Sequence, residues 1–502
     1  MKEAGSRCDA VRTKKRAKLC VIFGLVWWGL CPSFVHAHIT QGALEQEVPW
    51  PLHPPRPPLP IVWRSMEWPI AIHAGMNSFE VAEAWGHAME LAFALLESKR
   101  WPLPPIDFFL GGTVDFDIYI LPSLEDNWSE DPVYGALLDP EENTRKKRIS
   151  RALLDAPWPR ALRQDPEDAA TVHAVVSLEI PIEQLISCAI QITASAGLLA
   201  LDPAEAESSR EATAAWLAWK LSGEFGCDEG ALIRQQRASS RALLSHDPRD
   251  AEGGAIAIAS IAARYGADSV DFMRDAWLFA RQRSKGPFLR GEPDLLRVLF
   301  QNAILTHDPI EYALEAMASA RFFAGRWKSL SLASRPEIPF LAALPPEAEV
   351  PIFSETEWSK LPRRLMLPEG MAAVEAWGSA YARVHVEEAP PASRLRAWLD
   401  GEAGTEWSLI AIVLDKAGKE LRRLRTPPTR MPRAFLPIDL PEGASEVILV
   451  VTALPSHRDP RQSHSSAHPQ AKPFGFYDRV GLDLDRPISG PHGFRITIAR
   501  GD

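Results

Sequence analysis

Gln184-Leu185-Ile186-Ser187-Cys188-Ala189-Ile190-Gln191 runs on through Ile192 to Leu199 without a charged residue. Leu185, Ile186, Ala189, Ile190, Ile192 and Ala196 recur at helical spacing and make an apolar face, so the segment from Ile182 to Leu199 reads as a core helix. Glu211-Ala212-Thr213-Ala214-Ala215-Trp216 opens the next helix, running to Leu221, with Trp216 and Trp219 on one side of small alanines. The spacing also admits a plain role for Glu211, a carboxylate near a helix N-terminus, stabilised by the dipole by about 0.3–1 kcal/mol.

Upstream, Ile61-Val62-Trp63 reads as a short strand and Phe116-Asp117-Ile118-Tyr119-Ile120-Leu121 as a longer one. Between them Val81, Trp85, Ala88, Ala92 and Leu95 place a helix over 78–99, with Ser78 as its cap and Trp101-Pro102 as its breaker. Val172 to Ile180 is a further strand. Gly253 to Tyr265 and Ser269 to Arg281 are helices joined at Gly266, and His-Asp-Pro at 246–248 and 307–309 reads as two more helix openings. Residues 61–335 are therefore α+β, mostly helical after position 180. Past residue 345 the texture changes to short apolar or alternating runs at 381–386, 394–399, 407–414, 434–436 and 446–452, parted by Gly, Pro and Asp turns. That pattern predicts an all-β sandwich, Ig-like or jelly-roll-like, over 345–502.

The N-terminus carries Lys14, Lys15, Arg16 and Lys18, an apolar run from Leu19 to Leu30, and Val35-His36-Ala37 as a small-residue cleavage site. Residues 1–37 read as a signal peptide, which predicts an exported, periplasmic or extracellular, protein. Residues 38–60 form a Pro-rich leader. No later stretch is apolar enough to predict a membrane span after signal removal. Loss of 1–37 takes seven Lys/Arg and two Asp/Glu from a net charge of −10 and leaves −15, which argues against nucleic acid as a partner. Cys188 and Cys227 are the cysteines beyond the leader, and an oxidising compartment leaves two readings open, one disulfide or two buried thiols.

The segment from Gln184 to Gln191 also has the frame of His-Glu-x-x-His-Ala-x-Gln, in which two His one helical turn apart grip zinc and the Glu serves as general base. With the later Glu-Ala-Thr-Ala-Ala-Trp, the chain resembles exported gluzincin-like metallopeptidases that carry a β-sandwich behind the catalytic part. The Asp117-x-Tyr119 strand, Tyr134-Gly135 and the late aromatic turn Phe474-Gly475-Phe476-Tyr477 belong to the same likeness. The resemblance puts Gln184 and Cys188 at the two His positions, Leu185 at the general base and Glu211 at the third ligand. Gln184 is a poor zinc ligand, and Leu185 cannot take a proton from water. The expectation is a pseudoenzyme with no catalytic residue and no cofactor, zinc only if the site were rebuilt, and with peptide or protein as partner.

Two other expectations stand beside it. One is an extracytoplasmic binding or adhesion protein whose β-sandwich makes the contact. The other is an active metallopeptidase with a rebuilt site using Cys188, Glu211 and a His from elsewhere. The remaining candidates have plainer readings: His87 and Glu90 as a partly exposed pair, His173 as a core or edge residue, and His457, His464 and His468 as parts of a solvated loop. Cys188 with His173 as nucleophile and base is the one thiol alternative. Phosphate-loop, dinucleotide and nucleophile-elbow patterns are absent from the sequence.

Overall fold

The computed structural model describes residues 57–106, 114–121, 133–137, 170–177, 180–202, 205, 207–241, 252–267, 269–283, 295, 298–299, 310–325, 338–365, 374–375, 377–401, 406–426, 433–454 and 493–501. The expected signal peptide over 1–37, the expected Pro-rich leader up to residue 56, both His-Asp-Pro segments, and the stretches with His457, His464 and His468 and with Phe474 to Tyr477 lie outside the described residues.

The first sheet has the order β1-β2-β3-β5-β4, with β1 Ile61–Arg64, β2 Ile70–His73, β3 Phe116–Leu121, β4 Val133–Leu137 and β5 Ala170–Ser177. β2, β3 and β5 run parallel, and β1 and β4 pair antiparallel at the edges. Parallel neighbours need a crossover, and α1, Phe79–Ser98, supplies it between β2 and β3. Of the expected face, Trp85, Ala88 and Ala92 are buried, joined by Met89, Phe93 and Leu96, while Val81 is exposed and Leu95 only partly buried, so the buried face is turned from the one expected. Ser78 is the residue before the helix, but its hydroxyl makes no capping bond. The strand expected over 172–180 starts earlier and ends at Ser177.

A 3-10 turn, Ile182–Gln184, leads into α2, Leu185–Leu201. From Ser187 to Ala200 every residue of α2 is buried. A helix apolar on all sides belongs in the middle of a core, and α2 has α1, the first sheet and α3 (Glu207–Ser222) packed around it. Among the described residues this is the one helix long and apolar enough to cross a membrane, and 83% of that stretch is buried inside the fold. Gly197 lets it approach the chain at Pro102, where an added Cβ would stand 2.2 Å from the Pro102 carbonyl oxygen. Among the described residues five further α-helices follow: α4 Glu229–Arg237, α5 Ala255–Tyr265, α6 Val270–Arg283, α7 Ile310–Phe323 and the short α8 Pro339–Ala343.

The chain then becomes all-β in a second and a third sheet. One has the order β11-β10-β13-β8-β6, the other β12-β9-β14-β7. Their strands are β6 Ile352–Glu357, β7 Arg363–Leu365, β8 Ser379–His385, β9 Arg394–Gly401, β10 Glu406–Asp415, β11 Glu420–Arg425, β12 Arg433–Asp439, β13 Ala444–Leu454 and β14 Phe494–Gly501. Alternate residues of both sheets, among them Leu409, Ala411, Leu449, Val451, Leu395, Leu399, Ile438 and Ile496, share one apolar core. The other face of the five-stranded sheet is buried too. Ile410, Ile412, Ile448 and Val450 pack there against Ala318, Phe322 and Phe323 of α7. This explains why β10 and β13 read as unbroken apolar runs rather than alternating ones: neither face meets water.

A half-buried ion pair pins α7 to that sheet. Arg425 Nη1 lies 2.6 Å from the buried Glu315 carboxylate, Ser408 Oγ donates to the same group at 2.5 Å, and the guanidinium sits 4.1 Å over the Tyr312 ring. The described residues thus have an α+β architecture in which the helical part and the β part share a packed boundary.

Candidate functional site

The polar face of α2 is built from Cys188, Gln191 and Ser195, spaced i, i+3 and i+7 and therefore stacked on one side of the helix. All three are fully buried. Buried polar groups must be satisfied, and the loop after α3 does this for the first two. Cys188 is disulfide-bonded to Cys227. Gln191 Oε1 accepts the Cys227 backbone N–H at 2.8 Å. One turn earlier, Ser187 Oγ donates to the Phe225 carbonyl at 2.8 Å. The loop 225–227 is thereby stitched to α2 along its length. The approach is so close that a Cβ on Gly226 would stand 1.6 Å from Gln191 Oε1. Gly226→Ala should therefore expel the Gln191 amide or the loop. The expected loss is about 2–4 kcal/mol, since it opens a buried polar contact and overpacks the site; urea unfolding of the variant checks it.

Ser195 serves α3. Its hydroxyl donates to Glu211 Oε1, and Arg210 Nε donates to the same oxygen at 2.8 Å. Arg210 Nε also reaches Ser195 Oγ at 3.2 Å. Both charged side chains are almost fully buried, so the pair neutralises itself inside the core. α3 begins at Glu207, four residues before Glu211. Glu211 is consequently an interior residue of the helix, and the expectation of a carboxylate at the helix opening is corrected.

Glu252 opens a 3-10 turn, Glu252–Gly254, packed against α3 and α4. Burial pushes its carboxyl up to about 8, and the nearby Asp228 and Glu211 carboxylates add to the shift. The Gln191 side chain and the Asp228 backbone favour the charged form and offset part of this. Asp228 faces outward, with Arg234 Nη2 at 2.7 Å. The site is thus a graded acidic seam, from the buried Glu211–Arg210 pair through Glu252 to surface Asp228.

The four positions of the zinc-like frame do not meet. Gln184 lies at the N-terminal end of α2, half-buried. Leu185 is buried in the apolar core. Cys188 has its sulfur committed to Cys227. Glu211 holds Ser195, eleven residues beyond Gln184, about 16 Å along a helix at 1.5 Å per residue. A catalytic zinc needs three protein ligands within about 2.0–2.3 Å, so these residues do not fit the ion. Among the described residues no group of three or more His, Cys, Asp or Glu could hold a metal.

The disulfide also decides the cysteine question in favour of a bond. It removes the thiolate that a Cys188–His173 nucleophile and base would need. His173 is buried on β5, with its ring edge to Tyr119 at 5.9 Å. His87 and Glu90 form the partly exposed pair expected of them, 3.3 Å apart on α1. A further buried pair joins β2 to β3: His73 Nε2 lies 2.9 Å from Asp117 Oδ1, and His73 Nδ1 lies 3.1 Å from the Leu59 carbonyl. A carbonyl only accepts, so Nδ1 carries a proton, and Nε2 is occupied by the carboxylate. Neither nitrogen is left to act as a base.

Sequence reasoning missed Ser195, Arg210, Gly226, Asp228 and Glu252, and gave Gln191 only a trailing place. One signal was present: Arg210 and Glu211 are adjacent charges directly before the small and apolar run Ala212 to Trp219, a pattern that calls for a buried partner. Comparison with known proteins adds no relative: no family model matches the chain, and no curated protein matches it.

Proposed function

We propose that this chain is an exported, non-hydrolytic relative of the gluzincin-like metallopeptidases. In this reading the helical part is the peptidase-like platform and the two facing sheets are its C-terminal β-sandwich. One observation carries the proposal: the residue at the second His position, Cys188, is tied to Cys227, so the first turn of the helix that carries the motif is held by a covalent link. The Glu211–Arg210–Ser195 lock supports it, because a third ligand neutralised by a guanidinium is a weak donor to a cation. Export is supported by the same bond, since structural disulfides persist in oxidising compartments. The packing around α2 is apolar and does not depend on an ion, so the helical core outlasts loss of the metal chemistry.

The experiment is metal analysis of protein purified without chelator, together with digestion of casein. Far less than one zinc per chain and no chelator-sensitive cleavage are expected. Stoichiometric zinc with cleavage that a chelator abolishes would overturn the reading in favour of a rebuilt site.

A further inference from the structure

The outer face of the four-stranded sheet carries a different kind of surface. Its inner residues fill the core, and its outward residues fall into rows set by strand register. One row is Phe435–Trp398–Thr497–Arg364 across β12, β9, β14 and β7. The next is Arg433–Asp400–Arg495, and on the other side runs Pro437–Arg396–Ala499, followed by Asp439–Arg394. Rows lie about 6.6 Å apart along the strands.

Trp398 and Phe435 are 38% and 48% exposed, and their rings lie 5.4 Å apart, tilted by 36°. Two neighbouring large aromatics left in water on a sheet whose other face is fully packed form an apolar platform of the kind that marks an interaction site. Beside them the guanidinium groups are held in place. Asp400 takes Arg433 Nε at 2.8 Å and also Arg495 Nη2, and Asp439 takes Arg394 Nε at 2.5 Å. Hydrogen bonds from Arg495 first, then Arg433, hold the Asp400 carboxyl below the usual carboxylate range. The face is a local excess of arginine on a chain of net charge −10.

We infer that this face docks an acidic polysaccharide, a chain of uronate-bearing sugars lying across Trp398 and Phe435. The match is chemical. A pyranose ring presents an apolar C–H face to an aromatic ring, and its hydroxyls both donate and accept. Alternating Arg and Asp provide partners of both senses. A uronate carboxylate on a neighbouring sugar meets the Arg433–Arg495 row, where guanidinium groups recognise carboxylates with two parallel N–H bonds. The rows cross up to four paired strands, which gives an extended chain a long track. Nucleic acid would also offer rings and anions, but its dense phosphates would meet Asp400, Asp439 and the acidic remainder of the protein. This surface is separate from the α2–α3 seam, so it stands or falls independently of the zinc question.

The test is affinity electrophoresis of the full chain through gels holding polygalacturonate, neutral dextran or single-stranded oligo-dT. Retardation by polygalacturonate alone is expected, weakening with salt. Trp398→Ala should weaken it at least 10-fold, and so should the double variant Arg433→Gln/Arg495→Gln, which leaves the aromatic pair intact. The altered side chains are solvent-facing, so unchanged thermal unfolding serves as the control for both. No retardation by polygalacturonate, retention unaltered in both variants, or preference for oligo-dT would each overturn the inference.

Discussion

Replacing Glu252 by Gln is expected to stabilise the protein by about 3 kcal/mol at pH 9 and to leave it nearly unchanged at pH 4. In the folded chain the Glu252 carboxyl keeps its proton up to about pH 8, against an ordinary value of 4.5. The folded state therefore binds one more proton than the unfolded state between those limits. Stability from this group is fully present below pH 4.5, falls by about 1.4 kcal/mol per pH unit as pH rises, and levels off above about pH 8. The full shift would amount to roughly 5 kcal/mol, and partial solvent access at this half-buried position reduces it. Glutamine keeps the shape and cannot ionise, so the variant lacks this falling limb. Urea unfolding of both proteins at pH 4, 6, 8 and 9 reads the difference directly. A gap that opens steadily with pH is the expected result; parallel stability curves would mean that Glu252 titrates normally and that the acidic seam is well solvated.

The second large effect belongs to the disulfide. Cys188 and Cys227 are 39 residues apart in sequence. Opening a loop of that length returns chain entropy to the unfolded state worth about 4 kcal/mol. The double variant Cys188→Ala/Cys227→Ala should lose about 3–4 kcal/mol, and reductant should cost the wild type a similar amount while leaving the variant untouched. The loss is expected to be local at first. Loop 225–227 also holds Gln191 and Ser187, so hydrogen exchange should rise at Cys227 and along the α2 face before the sheets respond. An unchanged urea midpoint under reductant, with two thiols titrating in the native protein, would remove the bond from the account, and with it the main support for a non-hydrolytic site.

Much of the fold was legible because it depends on local periodicity. Val81, Trp85, Ala88 and Ala92 place α1 without knowledge of what it packs against, and the alternating run at 394–399 gives β9 directly. β2 and β14 were missed for a physical reason. Ile70–His73 is four residues long, buried throughout and too short to declare a period, and Phe494–Gly501 lies far along the chain from its neighbours β9 and β7. Long-range pairing leaves little local trace. A helix opening was expected at His307-Asp308-Pro309, and α7 begins at Ile310; its packing was not legible, because its buried residues face two surfaces: Leu314 and Met317 join the helical core, while Ala318, Phe322 and Phe323 pack on the second sheet.

The candidate site was legible only as a frame. The spacing of Gln184, Leu185, Cys188 and Glu211 is a one-dimensional fact, and it falls on α2, the turn before it, and α3. Which residues those helices bring together depends on where α3 lies along α2. That offset is set by contacts such as the Arg210–Glu211–Ser195 cluster and the close passage of Gly226, none of which has a sequence period.

Side-chain chemistry alone determined that four zinc-frame positions hold an amide, an aliphatic chain, a sulfur and a carboxylate, and that α2 must be buried, because hydrophobic area has to leave water wherever the chain goes. Tertiary structure alone decided that the sulfur is oxidised, that the carboxylate is neutralised by Arg210 beside Ser195, and that Glu252 sits against other carboxylates. Those outcomes rest on distances of a few ångströms between residues tens of positions apart, and electrostatics and covalent bonding respond to distance in space rather than along the chain.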